Sequence, residues 1–393
     1  MSDTNQFTQE FFESRQAAAV LKHAILTSYL PVWAAKTGST SLDHRVAIGD
    51  CYAGAGRYRD GSPGSPAIIA MLAQQPGLRN RRIEAYFIEQ DPATFEQLRQ
   101  VLDADATGIS WEAWPGSADE HLDQLMARTQ GVPLFLFLDP YGHGLSCDRL
   151  MTALATRPSD RWSPPTEALI RIDSAAIFRT RGALRRAPYP GRDKTLARLD
   201  ETAGGSWWRD EDDPALTTDA HLDWFAEQFL RRVSKQWRWT GWAVPVRRRA
   251  GVFPVYYLIF LTRHVDGMTV FNESLSLATA QWRRRIFDLS VEGSLFEGDI
   301  GDDTFASQEA ELEQEWRLRL KENVVALLAE RPSFVVVREM ERVFASVLGL
   351  AREKHLRAAL KELHQEGVTA SDSKGDLYDK LVTAASPEPT GRS

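Results

Sequence analysis

The stretch Arg45–Pro66, "RVAIGDCYAGAGRYRDGSPGSP", decides how the rest of the chain reads. A short β-rich run, "RVAIGD", ends in an acid and gives way to a loop too rich in glycine to order itself unless it wraps something. "SPAIIAMLAQQ" then reads as a helix, with Ser65 as N-cap and Pro66 at the first helical position. Strand, glycine loop and helix in that order open a nucleotide-binding α/β sheet, whose ligands sit at the carboxyl ends of the strands where strand order reverses.

Outward from this stretch the pattern repeats. A helix-period segment (7–36) precedes it. Strands follow over 83–89, 109–114, 132–139 and 166–173, separated by helices over 91–102 and 118–128. "VPLFLFLD" (132–139) is continuously apolar, as a strand buried on both faces must be. After a helical insertion rich in Trp and Arg (174–239), the runs 240–249 and 255–264 read as an antiparallel pair. Five parallel strands and then a hairpin is the order of the class I S-adenosylmethionine (SAM) methyltransferase sheet, a Rossmann-like α/β fold of seven strands. Residues 1–297 are assigned to this domain and 298–312 to an acidic linker. Residues 313–385 form a winged-helix-like helical domain with "TASDSKGDL" (369–377) as its wing, and 386–393 a disordered tail.

The bulk numbers set limits. Two cysteines, Cys51 and Cys147, exclude a disulfide framework and a four-cysteine zinc site and fit a reducing cytoplasm. No apolar run approaches the roughly 20 residues that span a bilayer, and the N-terminus lacks the order of a secretory signal. These readings predict a cytoplasmic protein off the membrane. A net charge of −7 argues against coating nucleic acid non-specifically. Residues 171–290 nevertheless carry +6 while the remainder carries −13, so a polyanion would meet the middle of the chain.

The candidate site is a set of acids at strand tips. Gly54 and Gly56 let the backbone pass close to a ligand, or make a tight turn. Asp50 can accept from a ligand ammonium, with Tyr52 beside it. Glu89, followed by Gln90, stands where such sheets place the acceptor for ribose hydroxyls; Asp91 reads better as a helix cap. Asp119, with Ser117, can accept from an adenine amino group after the third strand. Triphosphate binding is disfavoured because no Gly-Lys-Ser/Thr follows the loop. A nicotinamide is disfavoured because 39 residues separate Asp50 from Glu89, rather than about 20. "FLDPYG" (137–142) carries the chemistry. Asp139 and the Pro140 carbonyl can accept both hydrogens of an exocyclic amine, Tyr141 offers a ring for a flipped base, and Gly142 closes the turn; an ordinary Asp-Pro turn is the alternative.

"VLKHAILTSYLPVW", "CYAGAGRY", "DGSPGSP", "FIEQD" and "FLDPYG" together resemble the three-Cys-motif partner (TcmP) family, class I methyltransferase-like proteins, over roughly residues 15–265. The first three motifs are also similar to bacterial ribosomal-RNA adenine-N6 methyltransferases. That resemblance implies that Lys22 and His23 lie near the cofactor, Lys22 toward its carboxylate, and that Gly64 and Ser65 offer it main-chain N–H groups. The fourth motif departs from it: Asp-Pro-Tyr-Gly replaces Asp-Pro-Pro-Tyr and resembles transfer-RNA guanine-N2 methyltransferases, which leaves the target base open. The TcmP resemblance further implies a three-Cys-motif protein as partner.

Basic stretches supply candidate nucleic-acid contacts. "FRTRGALRR" (178–186) contributes Arg179, Arg181, Arg185 and Arg186, joined by "VRRR" (246–249) and "WRRR" (282–285). "LAREKHLRAALKELHQEG" (350–367) contributes Arg352, Lys354, Arg357 and Lys361 off an apolar stripe, as a recognition helix or any solvated surface helix would. The expected activity is SAM-dependent N-methylation of a nucleic-acid base, with S-adenosylhomocysteine as product and no metal. The alternatives are a SAM-binding regulatory subunit without turnover of its own and, more weakly, a metal-dependent nuclease using Asp50, Glu89 and Asp139.

Overall fold

The computed structural model describes residues 2–158, 160, 163–248, 251–292 and 299–385, with side chains from residue 19 onward except at 299 and 300. Arg249 of the second basic stretch and the 386–393 tail lie outside the described residues. The chain divides into two compact units, Met1–His264 and Val265–Ser393. That division falls ahead of the expected 297/298 boundary, so the helix at 265–291 belongs to the second unit.

The first unit begins with helix α1 (Ser2–Thr40) and continues β1 (Arg45–Asp50), α2 (Ser65–Ala70), β2 (Arg82–Glu89), α3 (Pro92–Asp105), β3 (Ser110–Pro115), α4 (Ala118–Arg128), β4 (Leu134–Leu138), α5 (Cys147–Ala155) and β5 (Thr166–Asp173). The insertion is helical: α6 (Ser174–Leu184), α7 (Arg192–Ala203), α8 (Trp207–Asp210) and α9 (Thr218–Trp237), before β6 (Thr240–Val246) and β7 (Tyr256–Thr262). The seven strands form one sheet in the order β3-β2-β1-β4-β5-β7-β6. β7 runs antiparallel to both of its neighbours, β5 and β6. This is the class I methyltransferase sheet. Strand order reverses at β1, which pairs with β2 on one side and β4 on the other.

Register sets the depth of each acid. Asp50 is level with Phe87 of β2 and Phe137 of β4. Glu89 and Asp139 therefore stand two residues further out on the flanking strands, about 7 Å toward solvent. Every residue of β4, "LFLFL", is buried, which fixes the tip that follows. Helix α1 is tied to the sheet by the Tyr29 hydroxyl, which donates to the buried Glu167 of β5, and by Tyr29 packing on Phe135 and Phe260. Lys22 lies seven residues before Tyr29, two helical turns or roughly 10 Å along the same face, which carries it to the strand tips.

One cap differs from expectation. Gly64, not Ser65, is the N-cap of α2, because Gly64 is extended and Ser65 is already helical; the helix tightens into a 3₁₀ turn after Ala70.

The second unit comprises α10 (Val265–Val291), α11 (Asp299–Glu330), β8 (Ser333–Val335), α12 (Met340–Phe344), α13 (Glu353–Gln365) and β9 (Leu381–Thr383). β8 and β9 pair antiparallel, and a single bridge joins Thr369 to Ala384. The supposed linker is helical from Asp299 onward. Its acids pair with the "WRRR" arginines of α10: Arg283 with Glu309 and Arg284 with Asp302, each at 2.5 Å, while Phe305 packs on Phe287. Among the described residues no helix is long and apolar enough to cross a membrane.

Candidate active site

The β1 tip holds an acceptor without a full set of donors. Asp50 is wholly buried; one carboxylate oxygen accepts from the Tyr52 N–H at 3.2 Å and the other, Oδ2, has no hydrogen-bond partner. Burial pushes its carboxyl up to about 6. Ser65 and the Tyr52 N–H oppose that shift, nearby Asp139 adds to it, and Lys22 pulls it back. A buried acceptor without a full set of partners is costly, and a donor from a ligand or a water would satisfy it.

The glycine loop arches over this acid. Gly56 has φ +80°, and a Cβ there would fall 2.9 Å from Val101 Cγ1, so only glycine fits. Gly54, at φ +62°, has open space on its Cβ side and donates its N–H to Glu89 Oε2 at 2.8 Å. The other Glu89 oxygen accepts from the Asp91 N–H, also at 2.8 Å. Two backbone donors thus aim the Glu89 carboxylate, which is half-buried at the end of β2. Asp91 caps α3 through the Thr94 N–H, as its sequence context suggested.

At the β4 tip the structure assembles an ion network that local sequence does not announce. Lys22 Nζ donates to Asp139 Oδ2 at 2.5 Å, and Arg171 of β5 reaches Asp139 Oδ1 at 3.3 Å and Asp173 Oδ2 at 3.1 Å. Lys22 is buried. Burial pushes its ammonium pKa down, but Asp139, with Tyr58 and Tyr256, more than reverses this, so the side chain stays charged. Its partner in this structure is Asp139. His23 contacts the Tyr58 hydroxyl at 3.3 Å, and burial together with Lys22 pushes it down to about 3, leaving it neutral. Tyr141 is 84 % exposed above Arg171, next to the buried Pro140.

Other expected residues are engaged locally. Gly64 donates its N–H to the Gly56 carbonyl at 2.9 Å, so that donor is used within the loop, while Ser65 is buried facing Asp50. The Tyr52 hydroxyl accepts from the Leu145 N–H at 3.0 Å and links the glycine loop to the segment after Gly142. Ser117 and Glu120 form the capping box of α4; Asp119 is exposed and paired with Arg149 at 2.8 Å; Gln90 is exposed. Among the described residues no group of three or more His, Cys, Asp or Glu side chains could hold a metal ion. The acids of the nuclease alternative face separate partners instead.

In the basic stretches the arginines are largely spent. Arg181 is buried against Asp212 at 2.7 Å, with the Leu216 and Asp213 carbonyls completing its fork, and is withdrawn from any phosphate. Arg185 shares Asp212 at 2.9 Å, whereas Arg179 and Arg186 are exposed. On α13, Lys354 pairs with Glu313 at 2.5 Å. Arg357 binds Glu353 and the Ser373 and Gly375 carbonyls, the Arg352 N–H donates to His355 Nδ1 at the helix start, and Lys361 is exposed.

No family model matches this sequence, and no curated protein matches it either. Among solved structures the chain is similar to the small RNA methyltransferase HEN1, at 10 % identity over 60 % of this chain and 26 % of that one, with a TM-score of 0.31. It is similar to P. horikoshii TYW2 in complex with MeSAdo, at 12 % identity over 58 % and 60 % of the two chains, TM-score 0.25. A third likeness is to a protein described for conversion of a disulfide bond into a thioacetal group during echinomycin biosynthesis, at 18 % identity over 56 % and 75 %, TM-score 0.26. The chain spans about a quarter of the length of the first and three fifths of the second. The fold assignment rests on the strand order.

Proposed function

We propose that the first unit binds SAM across the tips of β1 and β2 and methylates an exocyclic amine of a nucleic-acid base presented to the Asp139–Tyr141 turn. The observation that carries this reading is Asp50: a wholly buried carboxylate with an unpartnered oxygen, at the point where strand order reverses. The donor set fits the cofactor. Asp50 accepts from its ammonium, Glu89 from its ribose hydroxyls, and the backbone at Gly54 and Gly56 leaves it room. When bound, the cofactor supplies a methyl group already activated on sulfonium, so the protein's task is alignment and exclusion of water. Tyr141 stacks the base. The Pro140 carbonyl and the free lone pairs of Asp139 accept the amine hydrogens and turn the nitrogen lone pair toward the methyl group.

A specific observation favours a second reading. Both Asp139 oxygens already meet a cation, Lys22 or Arg171, as they would in a subunit that keeps the cofactor but has no turnover of its own. The TcmP resemblance makes a three-Cys-motif protein the partner to test. The second unit supports a winged-helix reading, with α13 as the helix that meets nucleic acid or a partner.

Calorimetry with SAM tests the primary claim. Wild type binds, and Asp50→Ala weakens binding at least a hundredfold, Glu89→Ala at least tenfold. Tritiated-methyl transfer to RNA or DNA then vanishes in Asp139→Ala while SAM affinity persists. Binding without transfer to any nucleic acid, in the presence of the partner, selects the second reading; no SAM affinity in the wild type sinks both.

A further inference from the structure

We propose that Arg171 is the positioning residue of the acceptor side, a single guanidinium that fixes the Asp139 carboxylate and the Tyr141 ring relative to each other. The acceptor half of this statement rests on the function proposed above; the positioning half does not.

Leu138 of β4 pairs with Ile170 of β5, so Arg171 emerges beside Asp139 at the carboxyl end of these two strands. Its fork is split between two carboxylates, Asp139 at 3.3 Å and Asp173 at 3.1 Å, so the guanidinium plane is pinned at both ends. The Tyr256 ring lies 4.4 Å from its central carbon and the Tyr141 ring 5.4 Å. Arg171 is thus in contact with an acid at each end and with aromatic rings.

Little else supports Tyr141. It is 84 % exposed, and the following Gly142 takes φ +81° in a turn with open space on its Cβ side. A small cavity is lined by Tyr52, Pro140, Gly142, Leu145 and Arg171, and Tyr141 does not reach into it. The flat face of Arg171 sets the ring's position, while Lys22 holds the far oxygen of Asp139 from α1. Lysine at 171 would keep a charge for Asp139 and lose the fork and the plane. Methionine would keep the stem and lose all three.

The test compares Arg171→Met and Arg171→Lys with wild type in the full chain. Amide hydrogen exchange over 139–146 reads positioning without any ligand. The expectation is exchange at least tenfold faster in Arg171→Met, partly restored in Arg171→Lys, with β1–β5 protection unchanged. RNA and DNA oligonucleotides carrying 2-aminopurine, titrated with S-adenosylhomocysteine-loaded protein, read the acceptor side. Wild type changes the probe's emission, and Arg171→Met requires at least tenfold more protein, while S-adenosylhomocysteine affinity stays within twofold. Unchanged exchange in 139–146 overturns the proposal whatever the oligonucleotides do, and so does a general loss of protection in the first unit. A probe response in Arg171→Met equal to that of wild type overturns the acceptor half. Accelerated exchange in a protein whose wild type ignores every oligonucleotide upholds the positioning role and overturns base methylation instead.

Discussion

Two sets of cations in this chain have opposite fates. At the strand tips, Lys22 and Arg171 converge from α1 and β5 on one carboxylate, Asp139, next to an acid that still has an unused oxygen. In the basic stretches, cations of greater number are consumed by acids nearby: Arg181 by Asp212, Arg283 by Glu309, Arg284 by Asp302, Lys354 by Glu313. A positive balance over 171–290 counts residues, not available charge. The difference teaches that the cleft is where this protein holds polar groups in reserve, while much of its basic surface is structural.

The largest expected effect tests the structural side. Arg181 sits with Asp212 and the buried His221, whose imidazole burial and Arg181 push down to about 4, so Arg181 is the main compensating cation for the acid. Arg181→Met leaves Asp212 with only the part-exposed Arg185 and strips the Leu216 and Asp213 carbonyls of a donor, and should cost about 3 kcal/mol, read by urea unfolding. Arg186→Ala, at an exposed site, should stay within about 0.5 kcal/mol of wild type. A small effect of Arg181→Met on stability, with a large one on nucleic-acid binding, would reverse the contrast.

The next prediction turns on pH. Asp50 has a folded pKa of about 6, above its ordinary value of 3.8. A raised carboxyl favours folding while protonated, so its contribution is full below about pH 4 and is lost as pH rises through 6. Asp50→Asn should therefore be more stable than wild type by about 3 kcal/mol at pH 8, and the gain should fade below pH 4. The same variant should lose SAM binding, and wild-type affinity for that cationic ligand should fall as pH drops through 6. Glu167 provides the control. Burial pushes it up to about 7 despite the Tyr29 and Thr262 hydroxyls, far from the tips. Glu167→Gln should show a comparable pH-dependent gain, between about pH 4.5 and 7, with ligand affinity unchanged. Equal ligand loss in both variants would mean that the cleft simply reports fold stability.

Sequence periodicity was enough to find all seven strands of the main sheet and the acids at their tips, because strand burial and chain reversal leave local marks: "LFLFL" is buried throughout, and Asp50 and Glu89 each end an apolar run. What escaped depends on distant pairing. Lys22 meets Asp139 across 117 residues, and Arg181 meets Asp212 across 31. No local spacing encodes either contact. Arg171 leaves only a faint local trace, an arginine inside the otherwise apolar "ALIRID" two residues before an acid. The helical stretch 299–312 escapes for a different reason: the buried stripe of α11, Trp316, Leu320, Val324 and Leu327, begins only after it, and its own contacts with α10 are ion pairs and the Phe305–Phe287 packing. The cap falls at Gly64, one residue earlier than expected, with Pro66 still inside the first turn, where its missing N–H costs no helical hydrogen bond.

The smallest effect expected is on α13, and it sharpens the contrast most. Lys354 is half exposed and already shares its charge with Glu313, whereas Lys361 is exposed on the same helix. Loss of an exposed pair costs little because water screens it and two long side chains regain freedom, so Lys354→Ala should change stability by less than about 1 kcal/mol. If α13 meets a phosphate backbone, Lys361→Ala should lower the slope of log affinity against log salt by about 1. Lys354→Ala should lower it by less, since part of its charge is neutralised before any phosphate arrives. Equal slopes for the two variants would show that the Glu313 pair opens on binding, so that charges in the basic regions, too, are held in reserve. Slopes unchanged in both would place α13 with Arg181, among the cations that serve the fold.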